Sequence, residues 1–481
     1  MNKICNKKMK ILKVFLFIVI LGLIATYLEK LLILKGDYSK RITNYYEQKN
    51  NTLDIVNIGT SHIQNTINPA ILWNEYGITS YDLSGPTQPI WISYYYMVEA
   101  LKTQKPKLII IDTYGIIYAN ETNNEIKEGN IRNNIDNMNF SMNKFRAIED
   151  SIESEDRPSY MVNLMKYHTR WKEIKEHDFS LKIGRNVFKG YLIGFTIKEN
   201  TRRDVSNIIE MTAVNNKNEE YLHKLINLAK EKNIELLFVS APYPITENEQ
   251  KIANSVYNIL EEENISYIDY NLLYDELNLD FGKDFRDISH LNSYGAIKVT
   301  NHLGNYIKEN YDIPDHRQDP EYAYWWDDTQ YYYKMVDEQS LKTTTDIKKW
   351  IEQVQNSNNY IVLGSYKNTT NNKISEETIQ NMKTLGGDKL SFSFDIKDNY
   401  AFIIDNGQVI YEKKQKSKIA YKNEENWFKT RIDATTSSSS IKIEAVEYSK
   451  NKDGINIVVY DKVLEKVVDS VNIGLTGKIS R

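Results

Sequence analysis

Ser61, Asp287 and His290 are the residues of this sequence whose types and order fit nucleophilic catalysis. Ser61 follows a short apolar run, 54–59, and Asp287 and His290 stand three positions apart just before a predicted helix. A serine hydroxyl is a weak nucleophile that needs a base, and the base needs an acid that orients it. One loop can therefore deliver both an imidazole and its carboxylate partner to Ser61.

Catalysis by a serine also needs N–H donors that stabilise the oxyanion of a tetrahedral intermediate. The backbone N–H of Ser61 is one candidate, and that of Gly85, after the second apolar run, is another. A side-chain amide after the third run would be a third donor, but the loop 112–115 contains neither Asn nor Gln. Asn57, Thr113 or a residue of the polar segment at about 118–215 are the remaining candidates for this role.

Four further side chains are candidates for contact with substrate. His62 adjoins Ser61, and we expect it to support the turn rather than act as the base, because adjacent side chains rarely face each other. His168, Arg170 and Trp171 lie in the segment YMVNLMKYHTRWKEI, which either faces the site or is a helix packed by Trp171 with Arg170 in an ion pair. No cluster has metal-ligand spacing, and the single cysteine, Cys5, excludes a disulfide framework, so we expect neither metal nor cofactor.

The elements that must position these residues are short, nearly continuous apolar runs separated by helical patterns. The runs are DIVNIG (54–59), ITSYDL (78–83), KLIIID (107–112), ELLFVS (235–240) and ISYID (265–269). Strands buried on both faces have this composition, and alternation with helices predicts an α/β fold with a parallel, doubly wound sheet. In such sheets, sites form in the loops at the carboxyl ends of the strands.

Two stretches interrupt this alternation. Residues from about 118 to 215 are polar, rich in Asn and helical in places, and we interpret them as a helical insertion that acts as a lid or a docking element. Residues 311–344 are rich in aromatic and acidic side chains. These aromatic rings either stack on sugars or pack at a domain junction.

Residues 345–481 differ in character from the α/β region and predict a second, α+β domain. Alternating runs such as YAFIIDNGQVIYEK indicate antiparallel strands, and Asn406-Gly407 is a strong hairpin turn. SEETIQNMKTLGG predicts one helix. The α/β catalytic domain itself is expected at 35–310.

The first 34 residues carry a targeting signal. An apolar run of about 18 residues, 11–28, is just long enough to cross a bilayer. The lysines around its start are Lys3, Lys7, Lys8, Lys10 and Lys13. This asymmetry predicts a single-pass anchor with a cytoplasmic N-terminus and an extracellular catalytic domain; a cleaved signal peptide is the alternative. The net charge of −4 gives no case for nucleic-acid binding.

The segments DIVNIGTSH, DLSGPTQP, KPKLIIID and DISHLNSYGA, in this order, resemble the sequence blocks of the SGNH/GDSL hydrolase superfamily. The resemblance covers about residues 53–310 and is nearest to membrane-anchored proteins of the DltD and PatB type. It implies a flavodoxin-like three-layer fold, with Ser61 as nucleophile, His290 as base and Asp287 as orienting acid. The sequence departs from the superfamily at Thr60, where Asp is usual, and in the third block, where Asn is usual.

Such relatives work beside a polytopic, MBOAT-like membrane O-acyltransferase and pass acyl groups to extracytoplasmic polymers. The resemblance thus implies a serine acyltransferase that O-acetylates a cell-surface or secreted polysaccharide, with such a membrane enzyme as partner. A carbohydrate acetylesterase would use the same residues, and a third alternative is a non-catalytic protein that binds or assembles glycan.

The C-terminal part resembles the ILEI/PANDER-like (interleukin-like EMT inducer, or GG) domain over about 360–475. The matching segments are LGG (385–387), YAFIIDNGQVIYEK and GINIVVYD. Family members are non-catalytic, and some bind carbohydrate. By this resemblance, the domain is expected to bind sugar or to dock a partner.

Overall fold

The computed structural model describes residues 2–179, 186–386, 390, 398–424 and 428–481. The chain divides into two compact units, Met1–Tyr332 and Tyr333–Arg481, and the division falls within one helix, Tyr324–Thr343. Each unit has its own sheets and its own hydrophobic core.

A five-stranded, wholly parallel sheet forms the centre of the first unit, with strand order β2-β1-β3-β4-β5. Its strands are β1 (Ile55–Gly59), β2 (Ser80–Ser84), β3 (Leu108–Asp112), β4 (Glu235–Ser240) and β5 (Ser266–Asp269). This is the flavodoxin-like order, in which the chain reverses direction across the sheet between β1 and β3. The predicted α/β class with a parallel sheet is therefore confirmed.

The helices of the first unit follow in chain order, and the last of them continues into the second unit. They are α1 (Asn2–Leu32), α2 (Asp37–Tyr46), α3 (Ser61–Thr66), α4 (Pro69–Tyr76), α5 (Ile90–Ala100), α6 (Tyr114–Glu121), α7 (Glu128–Ile135), α8 (Met142–Ser151), α9 (Arg157–Met161), α10 (Asn163–Tyr167), α11 (Asn216–Lys232), α12 (Glu247–Glu262), α13 (Ser293–Asn310) and α14 (Tyr324–Thr343). Short 3-10 helices cover His168–Glu173, Glu176–Phe179, Tyr270–Leu272 and Pro320–Tyr322.

Alternate strand residues enter two separate cores, which makes the unit three layers thick. Ile109 and Ile111 of β3 pack in one core with α5, α11 and α12. Leu108 and Ile110 pack in the other core with α13. The period of two along a strand sends successive side chains to opposite faces, so a strand covered on both sides must be apolar throughout.

The predicted insertion at about 118–215 consists of two different parts. Helices α6 to α10 and the two 3-10 helices that follow occupy it as far as Phe179. The described residues from 186 to 215 contain no helix or strand. The insertion is therefore helical only in its first part.

The aromatic stretch 311–344 contributes rings to the core of the first unit. Trp325 is buried and stacks on Trp73, with ring centroids 5.5 Å apart. Trp326 meets the same ring edge-on. For these two residues the structure favours packing over a sugar-stacking platform.

The second unit contains two antiparallel sheets and two helices. The helices are α15 (Ile347–Gln355) and α16 (Glu376–Leu385). The strands are β6 (Tyr360–Lys367), β7 (Asn399–Asp405), β8 (Gln408–Gln415), β9 (Ile419–Asn423), β10 (Thr430–Thr435), β11 (Ser438–Ile443), β12 (Val446–Glu447), β13 (Gly454–Asp461), β14 (Lys466–Ile473) and β15 (Ile479–Ser480).

A six-stranded sheet, β15-β14-β13-β6-β7-β8, and a four-stranded sheet, β12-β11-β10-β9, pack face to face in this unit. Asn406 and Gly407 have φ of 49° and 68° and join β7 to β8, which confirms the predicted hairpin turn. The predicted α+β class with antiparallel strands is confirmed. Gly387 of the LGG segment lies outside the described residues.

Helix α1 contains one stretch long and apolar enough to cross a membrane, Met9–Leu32, with a mean hydropathy of 2.6. It is a candidate membrane span or signal sequence. The side chains of residues 9–24 are all exposed, so no described part of the protein covers this apolar surface.

Candidate active site

Ser61 stands at the first position of α3, directly beyond the carboxyl end of β1. Thr60 has extended backbone and caps the helix, its hydroxyl accepting the N–H of His62 at 3.1 Å. This cap stops the strand and turns the chain into a helix in a single residue. The hydroxyl of Ser61 therefore emerges at the edge of the sheet, where it lies 2.8 Å from Nε2 of His290.

His290 lies in the loop between β5 and α13, and Asn292 caps that helix. The Nδ1 atom of His290 is 3.0 Å from each carboxylate oxygen of Asp287. Oδ1 of Asp287 also accepts the N–H groups of Ser289 and His290, both at 2.9 Å. Burial opposes ionisation of Asp287, but the hydrogen bonds from His290 and the backbone outweigh it and hold its pKa well below the usual range.

Asp112, at the end of β3, supports the turn that presents Ser61. Its Oδ2 atom accepts the N–H and the hydroxyl of Thr60, at 3.1 and 2.5 Å, and its Oδ1 accepts the N–H of Tyr114 at 3.1 Å. Burial raises the pKa of Asp112 to about 6, against the lowering effect of these hydrogen bonds. The carboxylate absent from position 60 is thus present on the neighbouring strand, bonded to the threonine that replaces it.

Gly85 is not available as an oxyanion donor, which corrects one sequence-based expectation. Its N–H donates to the carbonyl of Gly59 at 3.1 Å, extending the pairing of β1 with β2 by one bond. The glycine is required there for another reason. A Cβ atom at position 85 would lie 1.8 Å from Oδ1 of Asn134, so the insertion packs directly on this backbone.

Two other predicted donors are also engaged elsewhere. The Nδ2 atom of Asn57 donates to Oδ1 of the buried Asp82 at 2.8 Å. The Thr113 N–H and hydroxyl both donate to the carbonyl of Val239, at 2.9 and 3.3 Å. The N–H of Ser61, at the start of α3, has no acceptor among the described residues. Of the four predicted donors, this one is free to meet an oxyanion.

His62 lies beside the triad but does not contact Ser61. Its buried ring stacks on Tyr114, with centroids 4.0 Å apart, and meets Tyr243 and His290 edge-on. Neither ring nitrogen has a hydrogen-bond partner among the described residues. Burial, followed by the charge of His290, lowers the pKa of His62 well below its usual value. A neutral, unpartnered ring of this kind supports the turn and is not placed to act as the base.

His168, Arg170 and Trp171 are not among the residues that contact Ser61. Arg170 donates to the carbonyls at the end of α1 and pairs with Asp178. His168 Nδ1 lies 2.9 Å from the carbonyl of Met165, and the Trp171 side chain is exposed. The ion-pair alternative thus holds for Arg170. Trp171 does not pack against the protein in the way that this alternative requires, because its ring is exposed.

The described segment 186–215 runs along the carboxyl edge of the sheet, between α3 and the loop that carries Asp287 and His290. Leu192 N–H donates to the carbonyl of Gln64 at 2.7 Å, and Lys198 N–H donates to that of Phe285 at 2.8 Å. Asn200 reaches the carbonyl of Asp287 at 2.8 Å. This segment is hydrogen-bonded both to α3, which begins with Ser61, and to the loop that contains Asp287. It therefore forms one side of the site.

A cleft of about 470 Å³ opens beside the loop that carries Asp287 and His290; Ser289 lines it, whereas Ser61 and His290 do not. Its lining includes Tyr114, Asn200, Arg203, Tyr243 and Ser289. The mixture of aromatic rings, amide and hydroxyl groups suits a polar ligand with flat apolar faces, such as a sugar. Within the described chain, no group of three or more His, Cys, Asp or Glu side chains is placed to hold a metal ion.

Several residues at the site were not identified from the sequence. Asp112 is not among the predicted site residues, because the sequence pattern calls for an amide after the third strand, although a polar residue at the end of the central strand is a signal in itself. Arg286 precedes Asp287 and donates to Oδ1 of Asn65 at 2.9 Å, and Asn65 in turn donates to the carbonyl of Ser61 at 2.7 Å. The local sequence pattern does not predict the contact of Arg286 with Asn65 or that of Asn65 with Ser61.

No family model matches this chain, and no curated protein matches it. Among solved structures, a crystal structure of a proposed acylhydrolase from Bacteroides fragilis is similar over 56% of this chain and 93% of that chain, with 12% identity and a TM-score of 0.27. A likeness of this degree carries no argument about activity. The functional assignment therefore rests on the geometry of the site.

Proposed function

We propose that this chain is an SGNH-type serine acyltransferase or esterase, held at the outer face of a membrane by α1. The observation that carries the proposal is the continuous hydrogen-bonded series from Ser61 through His290 to Asp287. It lies at the carboxyl edge of a parallel sheet, beside a polar cleft. A serine, a base and an orienting acid in this order are the parts that acyl transfer through a covalent intermediate requires.

The geometry supports the following sequence of steps. The Ser61 oxygen attacks the carbonyl carbon of an acyl donor, and its proton passes to Nε2 of His290. The ionised Asp287 stabilises the resulting imidazolium, and the free N–H of Ser61 points to the negative oxygen of the intermediate. The leaving group then takes the proton from His290, which leaves an acyl ester on Ser61.

The second half of the reaction decides the product. An acceptor hydroxyl gives its proton to His290 while its oxygen attacks the acyl carbon; the bond from that carbon to the Ser61 oxygen then breaks, and His290 returns the proton to Ser61. With a glycan hydroxyl as acceptor the reaction is O-acylation, and with water it is hydrolysis. We favour transfer of acetyl groups to a cell-surface or secreted polysaccharide, because the membrane helix would hold Ser61 beside a polytopic acyltransferase that supplies the acyl group. An acetylesterase remains the alternative.

The test of this proposal is ester hydrolysis by the full-length protein. Wild type, Ser61→Ala and the exposed-surface control Ser206→Ala are given a nitrophenyl acetate substrate. Loss of turnover in Ser61→Ala alone supports the assignment, and equal rates in all three proteins contradict it. Glycan acetylation in cells with and without the gene then separates the two reactions, since deletion lowers it for a transferase and raises it for an esterase.

One observation favours a second candidate, a non-catalytic glycan-binding or assembly protein. The N–H of Gly85 is used within the sheet, so a second oxyanion donor is missing among the predicted residues. The second unit, which resembles a non-catalytic family of which some members bind carbohydrate, would then be the functional part. Absence of ester turnover in wild type, together with glycan binding by the full-length protein, is the outcome that supports this candidate.

A further inference from the structure

Among the residues of α1 whose side chains the structure describes, those near its end are the ones that the protein buries. Residues 9–24 expose every side chain, whereas Leu31 and Leu32 are buried within the first unit. The uncovered part, residues 9–28, is about 20 residues or about 30 Å long, the thickness of the hydrocarbon core of a bilayer. If α1 spans a membrane, its surface therefore lies close to Glu29.

The insertion makes the contacts that begin at this point. The Glu29 carboxylate accepts the N–H of Asn163 at 3.1 Å. The Arg170 guanidinium donates to the carbonyls of Leu32 and Ile33, the latter at 2.9 Å. Helix α10 and both 3-10 helices that follow it pack against α1. These elements are consequently level with the membrane surface.

The same elements carry large apolar side chains that have no protein covering. Val162, Met165, Trp171 and Phe179 are between 47% and 64% exposed. The ammonium group of Lys172 lies 5.7 Å from the centre of the Trp171 ring. Tryptophan and lysine are residues that settle at the boundary between hydrocarbon and water.

We propose that Val162, Met165, Trp171 and Phe179 form a membrane-contact patch that inserts into the outer boundary of the lipid bilayer. The proposal rests on the membrane anchor stated under the proposed function. The patch would give the first unit a second attachment beside α1, so that the catalytic domain keeps a fixed orientation instead of swinging on a single helix.

Lipid is favoured over a protein partner because the elements that carry the patch pack against α1 at the end of its exposed apolar stretch. Each of its four residues belongs to, or directly precedes, an element that packs against α1 or holds its last carbonyls. A patch that close to the membrane surface meets lipid whether or not another protein is present. Burial of its apolar area would then be favourable in a bilayer alone.

The experiment uses full-length protein with Cys5→Ser, so that a single introduced cysteine can carry an environment-sensitive fluorophore. Trp171→Cys reports on the patch, Leu16→Cys on the middle of α1, and Ile209→Cys on an exposed apolar position outside the elements that pack against α1. The proteins are reconstituted in vesicles of phosphatidylcholine with a minority of phosphatidylglycerol. Nitroxide-labelled lipids, spin-labelled either near the headgroup or deep in the chain, quench each fluorophore according to its depth.

The expected result is several-fold stronger quenching at position 171 than at position 209, greatest with the headgroup-proximal nitroxide, and quenching at position 16 by the deep nitroxide. If positions 171 and 209 are quenched equally while position 16 is quenched by the deep nitroxide, the membrane-contact patch is refuted and the proposal that α1 is a membrane anchor is retained. If the deep nitroxide does not quench position 16, both the anchor and the patch are refuted. If the fluorophore at position 171 becomes shielded from water only after a polytopic acyltransferase is added, the patch binds a protein partner, and the proposal is refuted. Labelling of Ser61 by a fluorophosphonate in the same samples reports separately on the catalytic proposal.

Discussion

Replacement of Asp112 by Asn changes how the stability of the protein depends on pH. In the folded chain the Asp112 pKa is about 6, because burial disfavours its charge, against an ordinary value of 3.8. Between these two values the folded state holds a proton that the unfolded state has lost. Stability due to this group therefore increases as the pH falls through 6, and it is lost again as the pH rises above 6.

The size of the effect follows from the difference in proton binding. At pH 7 both states are almost fully ionised, and at pH 5 the folded Asp112 is mostly protonated while the unfolded one is not. Integration between these limits gives wild type about 1 kcal/mol of additional stability at pH 5 relative to pH 7. The amide side chain at position 112 of the variant does not titrate in this range, so Asp112→Asn does not gain this additional stability at pH 5.

The assay is urea unfolding of both proteins at pH 7 and pH 5. The free energy of unfolding of wild type minus that of Asp112→Asn should increase by about 1 kcal/mol from pH 7 to pH 5. Other titrating groups contribute equally to both proteins and cancel in this difference. Asp312→Asn, at a fully exposed position, serves as the control and should keep a constant difference. Parallel pH profiles for wild type and Asp112→Asn would refute the argument that burial controls this carboxylate.

Three further substitutions test other parts of the account. Asp287→Asn should lower ester turnover by up to roughly 10⁴-fold, because the amide would favour the wrong His290 tautomer; unchanged turnover in a steady-state assay would contradict this. His62→Phe should keep turnover and the stacking on Tyr114, whereas a loss comparable to that of His290→Ala would make His62 the base. Trp73→Ala should lower the free energy of unfolding by about 3–5 kcal/mol, measured by urea, because the ring is fully buried; a loss below 1 kcal/mol would mean that the core collapses into the space.

The strands and the catalytic loop could be predicted because both depend on local sequence. A strand covered on both faces must be apolar throughout, so runs such as KLIIID marked β3 to within one residue. Asp287 and His290 are close in sequence and precede a capped helix, so their proximity follows from one short loop. The parallel order of the strands then brings this loop to Ser61.

The oxyanion donors could not be predicted because their availability depends on tertiary hydrogen bonds. Nothing in DLSGPTQP indicates that the Gly85 N–H continues the sheet ladder onto Gly59. Asn57 alternates with apolar neighbours along β1, and only the structure places Asp82 opposite it on β2. Buried polar groups are almost always hydrogen-bonded, and the partners of these two groups lie within the sheet itself.

Arg170 illustrates the same difficulty at longer range. Its segment reads as a helix with an aromatic and a basic residue, which is equally compatible with a substrate contact or a structural ion pair. Its partners are Asp178, eight positions away, and the carbonyls at the end of α1, more than 130 positions away. Local sequence pattern contains no information on the second contact.

The most direct test of the central claim is covalent labelling of the full-length protein with a fluorophosphonate, followed by mapping of the modified residue by mass spectrometry. The account predicts one phosphonate adduct on Ser61, strongly reduced labelling in His290→Ala, and none at this position in Ser61→Ala. Equal labelling of wild type and Ser61→Ala, or an adduct that maps to another serine, would contradict it.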